Sequence, residues 1–331
     1  MNSFGRIFKV SIFGESHGPS VGVTIDGVPA GLPLQAEDFS KDIERRKGGM
    51  QKGTTPRKED DLPIFITGIF NNKTTGAPLT ILFENKNTRS GDYEKQRSIP
   101  RPGHADFVAH QKFGGFEDFR GGGHFSGRLT VCLVAAGVVA KKLLSSISIE
   151  ASIVEIGGEA NIEAGLQKAI NAKDSIGGIV ECRASGLPSG LGEPFFDSLE
   201  SLISHAAFSI PAIKGIEFGA GFAAARMFGS IHNDAIINAR GLTQTNHAGG
   251  IIGGISTGNE LVFRVAVKPT SSTPKEQESW NWETQSLETF SIKGRHDLCI
   301  ALRVPPVLEA VTALVLADLM LLDQKVLRVF T

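Results

Sequence analysis

Polar and apolar positions alternate over residues 6–13 and 21–26, where Ile7 and Lys9, then Val21, Val23 and Ile25, set the phase of two paired strands. Gly14-Glu15-Ser16-His17-Gly18-Pro19 lies between them as a loop tip. The period changes over residues 36–47: Phe39 and Ile43 stand four apart and Arg45-Arg46-Lys47 ends the segment, which predicts a helix. Strands follow at 62–70 and 77–84, around a turn at 71–76. Residues 126–145 are apolar nearly all round and predict a helix buried on every side. The second half repeats these ingredients. Strands fall near 147–156, 176–184, 213–218 and 260–268, helices near 159–171 and 197–208, and a last buried helix at 306–325.

An internal echo accompanies the repeated order. Gly68, Ile69, Thr75, Gly76, Leu79 and Thr88 recur at a constant offset as Gly250, Ile251, Thr257, Gly258, Leu261 and Thr270. Each half also reaches a short basic-Gly-His-Asp segment, Arg101 to Asp106 and Lys293 to Asp297, before its buried helix. A duplicated unit of sheet plus helix packs as one α+β domain with pseudo-twofold symmetry, its two helices shared as the core between antiparallel sheets. The halves divide at roughly 1–145 and 146–331, and no linker or composition shift marks a cut.

Composition narrows the setting. The 331 residues carry a net charge of −1, so no global charge points to nucleic acid or to an anionic membrane. Cys132, Cys182 and Cys299 lie far apart in apolar contexts, which argues for buried thiols in a reducing compartment rather than disulfides or zinc ligands. The start, Met1 to Arg6, lacks the apolar core of a signal peptide. Lys141, Lys142, Glu309 and Asp318 interrupt or bound the apolar runs at 129–144 and 307–322, which are short for membrane spans. These features predict a soluble cytoplasmic protein without a metal site. Glycine is the outlier: 39 of them, nearly twice the usual share of about 7%.

Arg101-Pro102-Gly103-His104-Ala105-Asp106 and Arg120-Gly121-Gly122-Gly123-His124 set histidines, arginines and glycines close together ahead of the first buried helix. Glycines admit backbone N–H groups to a ligand, arginines fork onto phosphate or carboxylate, and histidines move protons near neutral pH. His124 is read at the start of the buried helix, where N–H groups converge on an anion. His17 stands beside Glu15 and Ser16 in the hairpin loop. Arg45, Arg46, Lys47 and Lys52 form either a solvated helix end or a phosphate clamp. Lys268-Pro269-Thr270-Ser271-Ser272 offers a cation and hydroxyls after a strand. A Walker A sequence is absent, as is a dinucleotide fingerprint placed between strand and helix. The mixture points to a small phosphorylated anion on which acid–base chemistry is done.

Taken in order, these motifs resemble the chorismate synthase family over almost the whole chain. The resemblance rests on Phe13 to Gly18, Asp26-Gly27-Val28-Pro29-Ala30-Gly31, Arg101 to Asp106, Arg120 to Gly123, Gly190 to Pro194, Gly221 to Arg226, Ala248 to Ser256, Lys268 to Ser272 and Lys293 to Asp297. It implies a β-α-β sandwich, assembled as a homotetramer. It also implies an anti-1,4-elimination that removes phosphate and a ring proton from 5-enolpyruvylshikimate 3-phosphate to give chorismate. Reduced FMN is required without net redox change, lending an electron and recovering it. NADPH would enter only as the flavin's reductant, directly or through a separate flavin reductase. The same resemblance makes His17 the proton donor to the leaving phosphate, His104 the residue against the flavin, and Asp297 the proton relay. Arg46, Lys52, Arg101 and Arg128 fall at substrate-binding positions. His124, Phe125, Ser126, Pro211, Ala212, Gly253, Lys268, Pro269, Thr270, Ser271, Ser272 and Arg295 fall at cofactor positions.

The chain also departs from the pattern. After the triple glycine the family usually has Arg-Ser-Ser-Ala-Arg-Glu-Thr, whereas here His124-Phe125-Ser126-Gly127-Arg128-Leu129-Thr130 follows. Lys52 stands where arginine is usual, which keeps the charge and loses the fork. Losing one charge-assisted contact costs about 1.5–3 kcal/mol, so weakened flavin binding is expected there with the proton-moving residues intact.

Overall fold

The computed structural model describes residues 1–49, 53–55, 59–87, 97–292, 296–326 and 330. The first half contributes β1 (Ser3–Phe4), β2 (Lys9–Gly14), β3 (Ser20–Asp26), α1 (Ser40–Arg46), β4 (Ile64–Thr67), the small hairpin of β5 (Ile69–Phe70) and β6 (Lys73–Thr74), and β7 (Leu79–Glu84). It ends on α2 (Asp106–Phe113) and α3 (Thr130–Leu143). The sheet order is β1-β2-β3-β7-β4 with all neighbours antiparallel. Val21, Val23 and Ile25 pair with Phe83, Ile81 and Leu79, so the period-2 pattern buries all six on one face.

The second half supplies β8 (Ser148–Ile156), α4 (Ile162–Ala172), β9 (Gly178–Ser185), α5 (Leu199–Ala207), β10 (Ile213–Phe218) and the one-turn α6 (Gly229–His232). The hairpin of β11 (Ile251–Ile252) and β12 (Ile255–Ser256) follows, then β13 (Leu261–Val267), the hairpin of β14 (Gln277–Asn281) and β15 (Ser286–Phe290), and α7 (Val304–Leu322). This sheet runs β10-β13-β9-β8, again antiparallel. Helices α3 and α7 pack on each other between the two sheets, α3 against β2, β3 and β7, and α7 against β8 and β9. The α+β expectation of buried helices between antiparallel sheets is what forms.

The internal echo has a structural counterpart. Thr75 N donates to Gly68 O at 3.0 Å, and Thr257 N donates to Gly250 O at 2.9 Å. Gly68 and Gly250 both hold positive φ (89° and 84°), as do Gly76 and Gly258 (84° and 89°). A Cβ on Gly68 would crowd Leu79, and one on Gly250 would crowd Leu261. The repeated residues therefore mark the same turn in both sheets, with Thr88 outside the described residues.

Arg120–Leu143 and Ile300–Leu322 have the length and hydropathy of membrane spans, but 78% and 100% of their apolar windows are buried inside the fold. Polar groups on α7 explain the acids that break its apolar run. Glu309 accepts from Arg45 at 2.6 and 2.8 Å, from Lys141 Nζ at 2.8 Å and from Ala151 N at 2.9 Å, tying together α1, α3 and β8. Burial alone would raise its pKa; the Arg45 and Lys141 cations outweigh that and lower it. Asp318 accepts from the backbone N–H groups of Arg6, Ile7 and Phe8 at 2.7–3.1 Å, anchoring the chain as it enters β2.

Some predicted boundaries shift for local reasons. The first buried helix begins at Thr130 rather than 126, because a 3-10 turn over Gly127–Leu129 precedes it. The 36–47 helix opens as a 3-10 turn, Ala36–Phe39. The 62–70 strand breaks where Gly68 turns the chain. After Ser272 the chain forms the β14–β15 hairpin, whose own pattern is mostly polar. Cys132, Cys182 and Cys299 are buried free thiols as expected, and burial pushes the Cys132 and Cys182 thiols up to about 12.

Helices α3 and α7 meet where Gly137 faces Ala310, and a Cβ on Gly137 would overlap the Ala310 side chain. Gly137→Val should therefore force the pair apart and cost about 1–3 kcal/mol or more of stability, read from the midpoint of chemical denaturation. An unchanged midpoint would mean that the helices tolerate separation.

Candidate active site

Three glycines bring together residues that lie far apart in sequence. Gly121, Gly122 and Gly123 hold φ of 60°, 82° and 52° in an irregular 3-10 segment. A side chain at 121 would stand 2.5 Å from His17 Cδ2 and 2.6 Å from Nε2. One at 122 would stand 3.2 Å from His104 Cε1. Successive glycines thus seat the two expected proton-moving histidines, and Ser16 N donates to Gly123 O at 3.1 Å to fix the His17 loop. Only glycine suits these positions, because the backbone is left-handed and the imidazoles fill the space of a Cβ.

His104 is oriented by its neighbours. Asp106 Oδ1 lies 2.6 Å from Nδ1, and a carboxylate only accepts, so Nδ1 carries the proton. Arg101 donates to Asp106 through Nε at 2.7 Å and Nη2 at 2.8 Å, and its Nη1 reaches Ser272 Oγ at 3.4 Å. Burial would raise the Asp106 pKa, but hydrogen bonds from Arg101 and His104 hold it far below the ordinary carboxylate range.

A cavity of about 710 Å³ opens beside this cluster. Leu133, Val311 and Leu314 of the central helices form part of its lining, together with Met1 to Phe4 and residues 208–214. His104, His124, Phe125, Pro211, Ala212 and Lys268 to Ser272 all line it, which gathers most of the expected cofactor positions. Lys268 Nζ donates to Ser271 Oγ at 2.7 Å, and Ser271 Oγ donates to Gly103 O at 2.7 Å. Burial, then the nearby charge of Lys214, lowers the Lys268 pKa. The buried Thr270 Oγ1 has no hydrogen-bond partner among the described residues. Two like cations beside an orphaned hydroxyl suit an anionic group such as a flavin phosphate.

Other expected residues lie elsewhere. Arg46 Nη2 donates to Asp61 at 2.7 Å, Arg128 Nη1 donates to the same carboxylate, and all three side chains are buried away from the cavity lining. Arg128 also donates to Asn85 Oδ1 at 2.9 Å and Glu84 O at 3.1 Å. Burial, with Arg303 and Arg128 adding to it, lowers the Arg46 pKa to about 10 despite Asp61. Arg303 links this cluster to Asp297, donating to Arg46 O at 2.9 Å and to Asp297 Oδ2 at 3.1 Å, while Thr55 N donates to Asp297 Oδ1 at 2.8 Å. Ser126 caps the turn before α3 and accepts from Arg128 N at 3.3 Å. Gly253 sits in the β11–β12 turn and does not line the cavity. Lys52 and Arg295 lie outside the described residues.

One local reading is corrected. His124 does not open the buried helix, which starts at Thr130, so the glycine N–H groups are not a helix N-terminus. Its Nδ1 donates to Gly14 O at 2.8 Å and its Nε2 meets the Asn2 side-chain amide at 3.1 Å, bracing the His17 loop against the N-terminal strand. Asp61, Lys214 and Arg303 were missed from sequence. Asp61 is the last of three consecutive acids, Lys214 lies in an ordinary strand, and nothing local marks Arg303.

Comparison with known proteins gives the family and the fold. The family model for chorismate synthase matches residues 8–321. A curated chorismate synthase from Chitinophaga pinensis is 70% identical, covering 100% of this chain and 99% of the relative. One from Dehalococcoides mccartyi is 47% identical over 97% of this chain and 96% of its own length. A crystal structure of chorismate synthase superposes with a TM-score of 0.75 at 27% identity, covering 97% of this chain and 93% of the other. With the family model spanning both sheets and both central helices, the chain belongs to the chorismate synthase family.

Proposed function

We propose that this chain converts 5-enolpyruvylshikimate 3-phosphate to chorismate as a phosphate lyase, by anti-1,4-elimination with reduced FMN and no net redox change. The observation that carries the reading is the triple-glycine turn, which packs His17 on Gly121 and His104 on Gly122, with His104 in the lining of a cavity. That cavity, about 710 Å³, falls within the roughly 300–1,000 Å³ common for cofactor and ligand sites. Lys268, Thr270, Ser271 and Ser272, with the adjoining Pro211 and Ala212, would hold the flavin, which in its reduced form would lend an electron and recover it. NADPH serves only as the flavin's reductant, directly or through a separate reductase.

The chain's own groups bind, orient and move protons. His17 donates a proton to the departing phosphate. Asp106 fixes the His104 ring with the proton on Nδ1, so His104 meets the cofactor in one tautomer. Asp297, held by Thr55 and Arg303, relays the ring proton. Arg101, Arg46 and Arg128, with Lys52 and Arg295, supply the positive charge that a phosphorylated dicarboxylic acid requires. His124, Phe125, Ser126 and Gly253 complete the cofactor positions, His124 acting through the loop it braces.

The same reading makes the chain a single domain working in the cytoplasm as a homotetramer. A dihedral tetramer needs more than one self-complementary surface. Two exposed apolar surfaces meet that need. Phe13 and Ile64 share a row on the outer face of the first sheet through Gly22 and Leu82. Phe222, Phe228, Ile231 and Ile236 stand exposed on the arm after β10.

Anaerobic incubation with reduced FMN and the phosphorylated substrate should yield chorismate and phosphate in equal amounts, and absence of turnover at every FMN concentration would defeat the assignment. His17→Ala and His104→Ala should each lower turnover by about 10²–10⁴ with substrate still bound; full activity in either variant removes that residue from proton transfer. Phe228→Asp combined with Ile231→Asp should shift the sedimenting species from tetramer to a smaller form. A tetramer that persists would show that the arm is not an interface.

A further inference from the structure

His296 has no part in the site described so far. Its Nε2 is shielded from solvent and has no hydrogen-bond partner among the described residues. Buried polar atoms are nearly always paired, so an orphan beside a reaction site calls for an account. The chain just after it is firmly held. Leu298 N donates to Gly53 O at 2.8 Å and Ile176 N donates to Leu298 O at 3.0 Å, while Asp297 is fixed by Thr55 and Arg303. The ring also lies within electrostatic reach of Arg101, His104 and Asp297. Burial, and then the charges of Arg101 and His104, lower its pKa against the opposing pull of Asp297, which keeps the imidazole neutral at neutral pH.

We propose that His296 is a substrate-contacting residue, whose Nε2–H donates a hydrogen bond to an anionic oxygen of the phosphorylated acid that Arg101 faces. This rests on the function proposed above. A neutral donor adds direction without a further positive charge beside Arg101, and substrate entry gives the orphaned atom its partner.

The test measures steady-state turnover with saturating reduced FMN and calorimetric binding of the phosphorylated substrate to the FMN-loaded enzyme. His296→Leu should weaken substrate binding and raise KM by about tenfold to a hundredfold, with FMN affinity in the absence of substrate unchanged. His296→Gln, whose side-chain amide places a neutral donor near the Nε2 position, should recover most of that loss. His296→Asn, whose amide falls short, should not, and it serves if the leucine variant fails to fold. Equal substrate affinity in wild type and His296→Leu would overturn the proposal. So would equal impairment of the leucine and glutamine variants, which would mean a packing role. A wild-type enzyme without turnover would defeat the proposed reaction instead, and the binding comparison separates the two failures.

Discussion

The close approach of α3 and α7 at Gly137 and Ala310 is the constraint on which the rest of the molecule depends. Both helices are apolar nearly all round, so each gains stability only when a sheet covers one side and its partner the other. That arrangement leaves no outlet to water for the acids on α7. Glu309 therefore takes Arg45 and Lys141, and Asp318 takes three backbone N–H groups at the entry to β2. These bonds set the helix against β8, α1 and the N-terminal strand, which fixes two walls of the cavity before any ligand is present. A buried ion pair contributes little net stability, and its value here lies in fixing position.

The triple glycine performs the corresponding task at the reaction site. Histidines from the β2–β3 loop and from the turn before α2 each pack on one of these glycines, which they can do only because residues 121 and 122 carry no side chains and accept left-handed backbone. The same turn is what places His124 away from α3, where it braces the His17 loop. The residue that departs from the family pattern here both lines the cavity and braces this loop.

Much of this was legible in the sequence, and the reasons for success and failure are physical. Period-2 alternation on β3 and all-round apolarity on α3 and α7 report burial directly, so sheets and central helices could be read with boundaries off by a few residues. The echo of Gly68 and Gly76 in Gly250 and Gly258 was legible because a positive φ leaves a compositional mark. Asp61 left none. Its role exists only once Arg46 and Arg128 converge on it across 15 and 67 positions of chain. The contacts of the β14–β15 hairpin left none for a related reason: Trp282 stacks on His110 and its backbone N–H donates to Ser98 O, which no local pattern encodes.

The arginines are bonded to carboxylates, and counting charge bears on the anionic substrate proposed for them. Around Asp61 and Asp297 stand Arg46, Arg128 and Arg303, an excess of one positive charge in a buried region. Burial first, then the charges of Arg303 and Arg128, lowers the Arg46 pKa, and its Nε finds no partner among the described residues. Near the cavity, Arg101 is bonded by Asp106, and Lys214 adds a second positive charge beside Lys268. Each carboxylate orients a guanidinium without neutralising its neighbourhood. Under the proposed function, guanidiniums held in place beforehand would offer an entering phosphate directed donors rather than mobile ones. Pairing and surplus charge are complementary: pairing supplies the geometry, and the surplus supplies the attraction.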